Sequence, residues 1–169
     1  DEIFSTLLIN SKIRAKIKKN KKKIKNFDNK NLTKITNKIK FKLTNDQLKS
    51  LNEINEDLKS ESKMFRLLQG DVGSGKTIVS LISALNVISS GYQVAFMAPT
   101  EILVKQHYEL AKKLIDYEIN ISILTGKTSY LDKRNIINNL ENNKINLIFG
   151  THSLFQEKII FSNLGLIII

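Results

Sequence analysis

Eight consecutive residues, Gly70-Asp71-Val72-Gly73-Ser74-Gly75-Lys76-Thr77, have the types and the spacing of a loop that holds phosphate groups. Glycines at 70, 73 and 75 let the backbone turn tightly and approach an anion, so that successive N–H groups face one concavity. A helix opening near Lys76 adds the positive end of its dipole. In that frame Lys76 reaches the β- and γ-phosphates of a nucleoside triphosphate, and the Thr77 hydroxyl ligates Mg²⁺. The flanks agree with this chemistry. Met64 to Leu68 is an apolar run of strand length, and Thr77 to Ile88 carries apolar residues along one helical face.

The elements needed to position such a loop follow in alternation. Strands are expected at Met64 to Gln69, Gln93 to Ala98, Ile119 to Leu124, Ile145 to Phe149 and Leu164 to Ile169, and helices at Lys76 to Ser89, Glu101 to Tyr117 and Ser129 to Asn142. Ahead of them Thr44 and Gln47 form a capping-box pattern, with Leu48, Leu51, Ile54 and Leu58 at helical spacing. Alternation of this kind predicts a three-layer α/β domain of the P-loop NTPase type, with a mainly parallel sheet buried on both faces.

Ligands of such sheets lie at the carboxyl ends of the strands. Three more loops emerge there: Pro99-Thr100-Glu101, Thr125-Gly126-Lys127 and Gly150-Thr151-His152. Each offers small or hydroxylated residues and free N–H groups at a helix start, which suits backbone phosphates. Singly, each is also an ordinary strand-to-helix connection with the threonine as N-cap. Together, on one edge beside a nucleotide site, they suggest a track for a nucleic-acid strand.

Charge is unevenly placed. Of the net +11, residues 1–40 hold 13 Lys and Arg against 3 acids, and residues 41–169 hold 14 against 13. The cluster Lys16, Lys18, Lys19, Lys21, Lys22, Lys23 and Lys25 could neutralise phosphates, or could reflect a general bias toward Lys, Asn and Ile. Residues 1–40 therefore read as a basic helical segment, with Ile3, Phe4, Leu7, Leu8, Ile13 and Ile17 near one face and Asn26 to Asn31 as a polar linker. A short helix carrying Leu32, Ile35 and Ile39 follows. The absence of cysteine excludes a disulfide framework, and no run approaches the length of a membrane span. A soluble cytoplasmic protein is expected. A start at Asp1 and an end at Ile169 inside an apolar run point to a piece of a longer chain.

Four segments carry a resemblance to known proteins: Phe41 to Gln47, Arg66 to Thr77, Met97 to Leu103 with Gln106-His107, and Gly150 to Gln156. In order and separation they resemble the superfamily 2 helicase motors, and more narrowly the RecG branch-migration helicases. The match is close over residues 41–169 and looser before them, where RecG proteins have a basic helical linker between a DNA-binding wedge and the motor. The motor of the transcription-repair coupling factor shares most of the motifs, while Ser74, Glu101 and Phe155-Gln156 favour RecG.

The resemblance implies a RecA-like domain in which Gln47 reads the adenine edge, Phe41 stacks on the base, and residues 70–77 hold ATP and Mg²⁺. It also implies DNA contacts at Pro99, Thr100, Glu101, Thr125, Gly126 and Thr151. His152 is tempting as a base but reads as structural or DNA-side, and His107 as helix packing. A bacterial enzyme is implied, acting as a monomer away from membranes on replication forks and Holliday junctions. Family members place an Asp-Glu-x-His box directly after the strand that here ends at Ile169, so residues 1–169 are expected to form a half-site without ATPase activity of their own. A basic DNA-binding module with a vestigial loop is the competing expectation.

Overall fold

The computed structural model describes residues 11, 22–28, 30–39, 42–155 and 159–169. Among these, helices α1 (Lys30–Lys38), α2 (Asn45–Lys59), α3 (Lys76–Ser89), α4 (Glu101–Leu114) and α5 (Tyr130–Glu141) alternate in part with strands β1 (Gln93–Met97), β2 (Ile121–Leu124), β3 (Leu147–Gly150) and β4 (Leu164–Ile168). A 3₁₀ turn, His152–Phe155, follows β3. The proposed helix at residues 3–17 and Phe41 lie outside the described residues.

The sheet is parallel throughout, in the order β2-β3-β1-β4. Period-two alternation sends the two sides of each strand into different cores. Val94, Phe96, Leu147 and Phe149 pack with α2, α3 and α4, while Ala95, Met97 and Ile148 pack with Leu140 of α5 and Leu154. Helices therefore cover both faces, as the fully buried strands β1 and β3, apolar apart from Gln93, require.

Local chemistry sets the helix starts. Thr44 and Gln47 complete the capping box of α2, Thr100 caps α4 through the Leu103 N–H, and Ser129 caps α5 through the Asp132 N–H. At the amino edge of the sheet a buried glutamine ties three elements together. Gln93 Nε2 donates to the carbonyls of Leu140 and Ile145, and its Oε1 accepts from the Asn163 N–H.

One expected strand is not in the sheet. Residues 63–70 have no strand structure, and Phe65 and Leu67 are exposed. The segment runs from the end of α2 to the phosphate loop. A groove of about 390 Å³, lined by Met64, Leu68, Leu166 and Ile168 among others, separates it from β4. A strand exists only by virtue of a neighbouring ladder, and here none adjoins. Arg66 instead fastens the segment to α2, at 2.6 Å from Glu53 and 2.8 Å from Asp57.

The stretch expected to be a polar linker, Asn26 to Asn31, and the end of the lysine cluster before it make more contacts with the core than their composition suggested. The Lys22 ammonium donates to the carbonyls of Asp57 and Leu58 at the end of α2, and Ser90 donates to the Asn26 carbonyl. Asn31 lies inside α1 and is 8% exposed, and Ile35 is fully buried in the same core as α2 and α3.

Candidate nucleotide and nucleic-acid site

The phosphate loop opens α3 as the sequence requires. Gly73 and Gly75 both take φ +81°, the left-handed region where a side chain is strained. Gly75 is the N-cap of α3 and supplies no side-chain cap, so the first turn of the helix is left to other acceptors. Lys76 Nζ donates to the carbonyls of Gly70 and Asp71, both at 2.7 Å, which folds the ammonium back across the loop. Val72 at the tip is fully exposed.

Gln47 meets this loop directly. Its Oε1 accepts the Thr44 N–H at 2.9 Å, and its Nε2 donates to the Ser74 carbonyl at 2.8 Å. A Cβ built on Gly75 would stand 2.4 Å from that same nitrogen. The two halves of the amide are thus engaged in capping α2 and in holding the loop. The capping role and a contact with the glycine-rich loop meet in one side chain.

The donor set suits a phosphate: N–H groups of the first turn of α3, a lysine ammonium and the Thr77 hydroxyl, with glycines where the backbone must come close. It suits Mg²⁺ only as a metal carried by phosphate oxygens and water, since Thr77 brings one hydroxyl. No group of three His, Cys, Asp or Glu gathers among the described residues.

The other three loops line up beside it. Because β2, β3 and β1 are adjacent and parallel, Thr125, Thr151 and Thr100 emerge in that order on one edge. Each hydroxyl has local work. Thr100 caps α4, Thr125 accepts from the Lys127 N–H in its own turn, and Thr151 is bonded to Ser153, which donates to the Leu124 carbonyl. Pro99 and Gly126 are exposed, whereas Thr125 is 8% exposed, so its hydroxyl shapes the turn rather than facing solvent. Gly150 must be glycine, since a Cβ there would lie 2.6 Å from the Leu124 carbonyl.

Glu101 stands 3.6 Å from the Lys127 ammonium, an ion pair that joins the first and second of these loops across β3. His152 is exposed in the 3₁₀ turn. His107 is half-buried with its ring 5.1 Å from Phe96, and burial holds its pKa below the ordinary value, in keeping with helix packing.

Three residues that the motifs gave no reason to single out are Asn31, Asn55 and Asn86. Asn86 is 2% exposed among Ile82, Leu85 and Val87 on the apolar side of α3. A polar residue within such an apolar stripe is the one sequence signal of a buried hydrogen-bond partner.

Comparison with known proteins agrees with this geometry. The DEAD/DEAH box helicase family model matches residues 42–169. The chain is 45% identical to the ATP-dependent DNA helicase RecG of Aquifex aeolicus and 41% identical to that of Thermotoga maritima. It aligns over its full length with each and covers 22% of each. With RecG of Borreliella burgdorferi it is 47% identical over 82% of the chain, which is 20% of that protein. A solved structure of RecG bound to a three-way DNA junction superposes with a TM-score of 0.89 at 40% identity, covering 98% of this chain and 23% of that one. The chain thus spans between 20% and 23% of these relatives. Both the RecG resemblance drawn from the motifs and the parallel α/β fold are borne out: the chain belongs to the DEAD/DEAH box helicase family.

Proposed function

We propose that residues 41–169 form the first part of the ATP-binding motor domain of a RecG-like DNA helicase, and that residues 1–40 are the basic segment leading into it. The observation that carries this reading is the adjacency of two grips. The phosphate loop opens α3, and loops bearing Thr100, Thr125 and Thr151 line the same edge of one parallel sheet. The relative named as bound to a three-way DNA junction supports branched DNA as the substrate class. Fork remodelling and junction branch migration follow as the proposed activity of the whole bacterial enzyme, working as a monomer in the cytoplasm.

The proposed roles follow the chemistry. Lys76 leaves the Gly70 and Asp71 carbonyls for the β- and γ-phosphates, the loop N–H groups hold the same oxygens, and Thr77 contributes to Mg²⁺. ATP supplies the phosphoryl bond whose hydrolysis drives movement. Gln47, with Phe41, is the proposed adenine contact: its Nε2 keeps one N–H on the Ser74 carbonyl and offers the second to the base. Pro99, Thr100, Glu101, Thr125, Gly126 and Thr151 form the proposed strand contact, with backbone N–H groups as its donors except at Pro99, which has none, and Thr125, whose N–H is bonded to the Thr128 hydroxyl, because the three threonine hydroxyls are engaged in shaping the turns.

In the full-length protein, Lys76→Ala should abolish ATP hydrolysis stimulated by a three-way junction while leaving junction binding without nucleotide intact. Turnover at the parent rate in that variant overturns the assignment.

A further inference from the structure

Helices α2 and α3 run side by side with both N-terminal ends at the phosphate loop, and two polar ties cross between them. The first is Gln47 Nε2 to the Ser74 carbonyl at 2.8 Å. The second is Asn86 Nδ2 to Asn55 Oδ1 at 2.9 Å. At 1.5 Å rise per residue the second tie lies about 12 Å along α2 from Gln47 and about 16 Å along α3 from Gly75. The interface between the ties is apolar, with Leu51, Ile54, Ile78 and Ile82 all buried.

Apolar packing is non-directional and tolerates small sliding, whereas a buried amide pair has one satisfactory alignment. Fixing register is the best-attested use of a buried asparagine.

The second tie continues outward. Asn31 Nδ2 of α1 donates to Asn86 Oδ1 at 3.1 Å and to Ser89 Oγ at 2.7 Å. The Lys22 ammonium meanwhile bonds the Asp57 and Leu58 carbonyls at the end of α2. One short stretch of chain therefore grips the C-terminal ends of the two helices whose N-terminal ends carry Gln47 and the phosphate loop.

We propose that the Asn31–Asn86–Asn55 relay sets the axial register of α2 against α3, which makes Asn86 a positioning residue for nucleotide binding through the Gln47–Ser74 contact. The proposal rests on the nucleotide-site reading above, and Lys76→Ala tests that reading separately.

The experiment uses the full-length protein with a three-way DNA junction, measuring KM for ATP, kcat, MgADP affinity and the unfolding temperature. Asn86→Ala should raise KM and weaken MgADP by about fivefold or more while kcat stays within about twofold, the pattern of lost ground-state grip. Asn31→Ala, which leaves the Asn86–Asn55 bond in place, should move KM in the same direction by a smaller factor. It carries the test if Asn86→Ala fails to fold. In a Gln47→Ala background, Asn86→Ala should add less than about a twofold change, because the two act through one contact.

A lowered unfolding temperature with KM and MgADP affinity unchanged would make the relay merely structural and overturn the proposal. Full multiplicative effects of Asn86→Ala and Gln47→Ala would overturn the route through Gln47. Undiminished hydrolysis by Lys76→Ala would instead remove the nucleotide-site reading itself.

Discussion

Gly75 carries two demands at one position. Its φ of +81° is a conformation that costs a residue with a side chain about 1–2 kcal/mol. A Cβ would also meet Gln47 Nε2 at 2.4 Å and displace it from the Ser74 carbonyl. The first demand belongs to the backbone, whereas the second falls on the end of a flexible side chain, and the two separate by mutation. Gly75→Ala should weaken MgADP binding by about tenfold or more, the equivalent of roughly 1.4 kcal/mol. Gln47→Ala removes the proposed adenine contact but also the clash, so the double variant should lose less than the product of the two single effects, while the dihedral strain stays. Isothermal titration on the full-length protein reads both, and parent-like affinity for Gly75→Ala would show that the loop relaxes without cost.

Among the elements, the stretch that leads into α1 carries an unusual burden. The Lys25 side chain is almost buried, with residue exposure of 4%, and its ammonium lies 5.0 Å from the centre of the Tyr92 ring. Burial, and secondarily the charge of Lys22, lower its pKa from the ordinary 10.5 to about 8. Between pH 8 and 10.5 the unfolded chain therefore binds more protons at this site than the folded one, so stability from this group rises with pH across that window. Below pH 8 both states are protonated, and the folded state bears the full cost of the buried charge, offset in part by roughly 0.5–1 kcal/mol from the Tyr92 ring. Lys25→Met should accordingly raise the unfolding temperature at pH 7, and its advantage over the parent should shrink toward pH 10. A lower unfolding temperature at pH 7 would mean that the ring contact outweighs burial.

Such a lysine was not legible in the sequence, where it counted only as one of a charged run. Features resting on near neighbours were legible: the capping box of Thr44 and Gln47, the glycines of the phosphate loop, and the Thr100 cap of α4, whereas Thr125 and Thr151 bond within their own turns and Ser129 caps α5. The error at residues 64–68 has the opposite origin. An apolar run announces a buried strand, but only a ladder partner makes one, and partners are set by the fold rather than by the run. Asn31, Asn55 and Asn86 stayed hidden for the same reason, being tens of residues apart in a chain rich in asparagine.

Over the molecule as a whole, lysines among the described residues stand at two edges of the sheet with different consequences. Residues 22–28 contact the C-terminal ends of α2 and α3 and the Tyr92 that precedes β1, which places them at the amino edge. Thr100, Thr125 and Thr151 occupy the carboxyl edge, one strand length or about 17 Å away. That separation exceeds the screening length of about 8 Å at physiological salt, so a nucleic-acid strand on the carboxyl edge gains little from Lys22 or Lys25. Both of those lysines also face protein: Lys22 bonds carbonyls and Lys25 lies over a ring.

Lys127 is placed differently, exposed on the carboxyl edge and held, among the described residues, by the 3.6 Å pair with Glu101, a bond that an incoming phosphate can replace at small cost. Counterion release turns this geometry into a measurement. Each phosphate that a protein cation neutralises steepens the fall of log K with log salt by about 0.9. For the full-length protein on a three-way junction, Lys127→Gln should make that slope shallower by about one such step. Lys22→Met and Lys25→Met should leave it unchanged and shift the unfolding temperature instead. A slope altered by Lys25→Met and indifferent to Lys127→Gln would move the nucleic-acid path to the amino edge and away from the threonine-bearing loops.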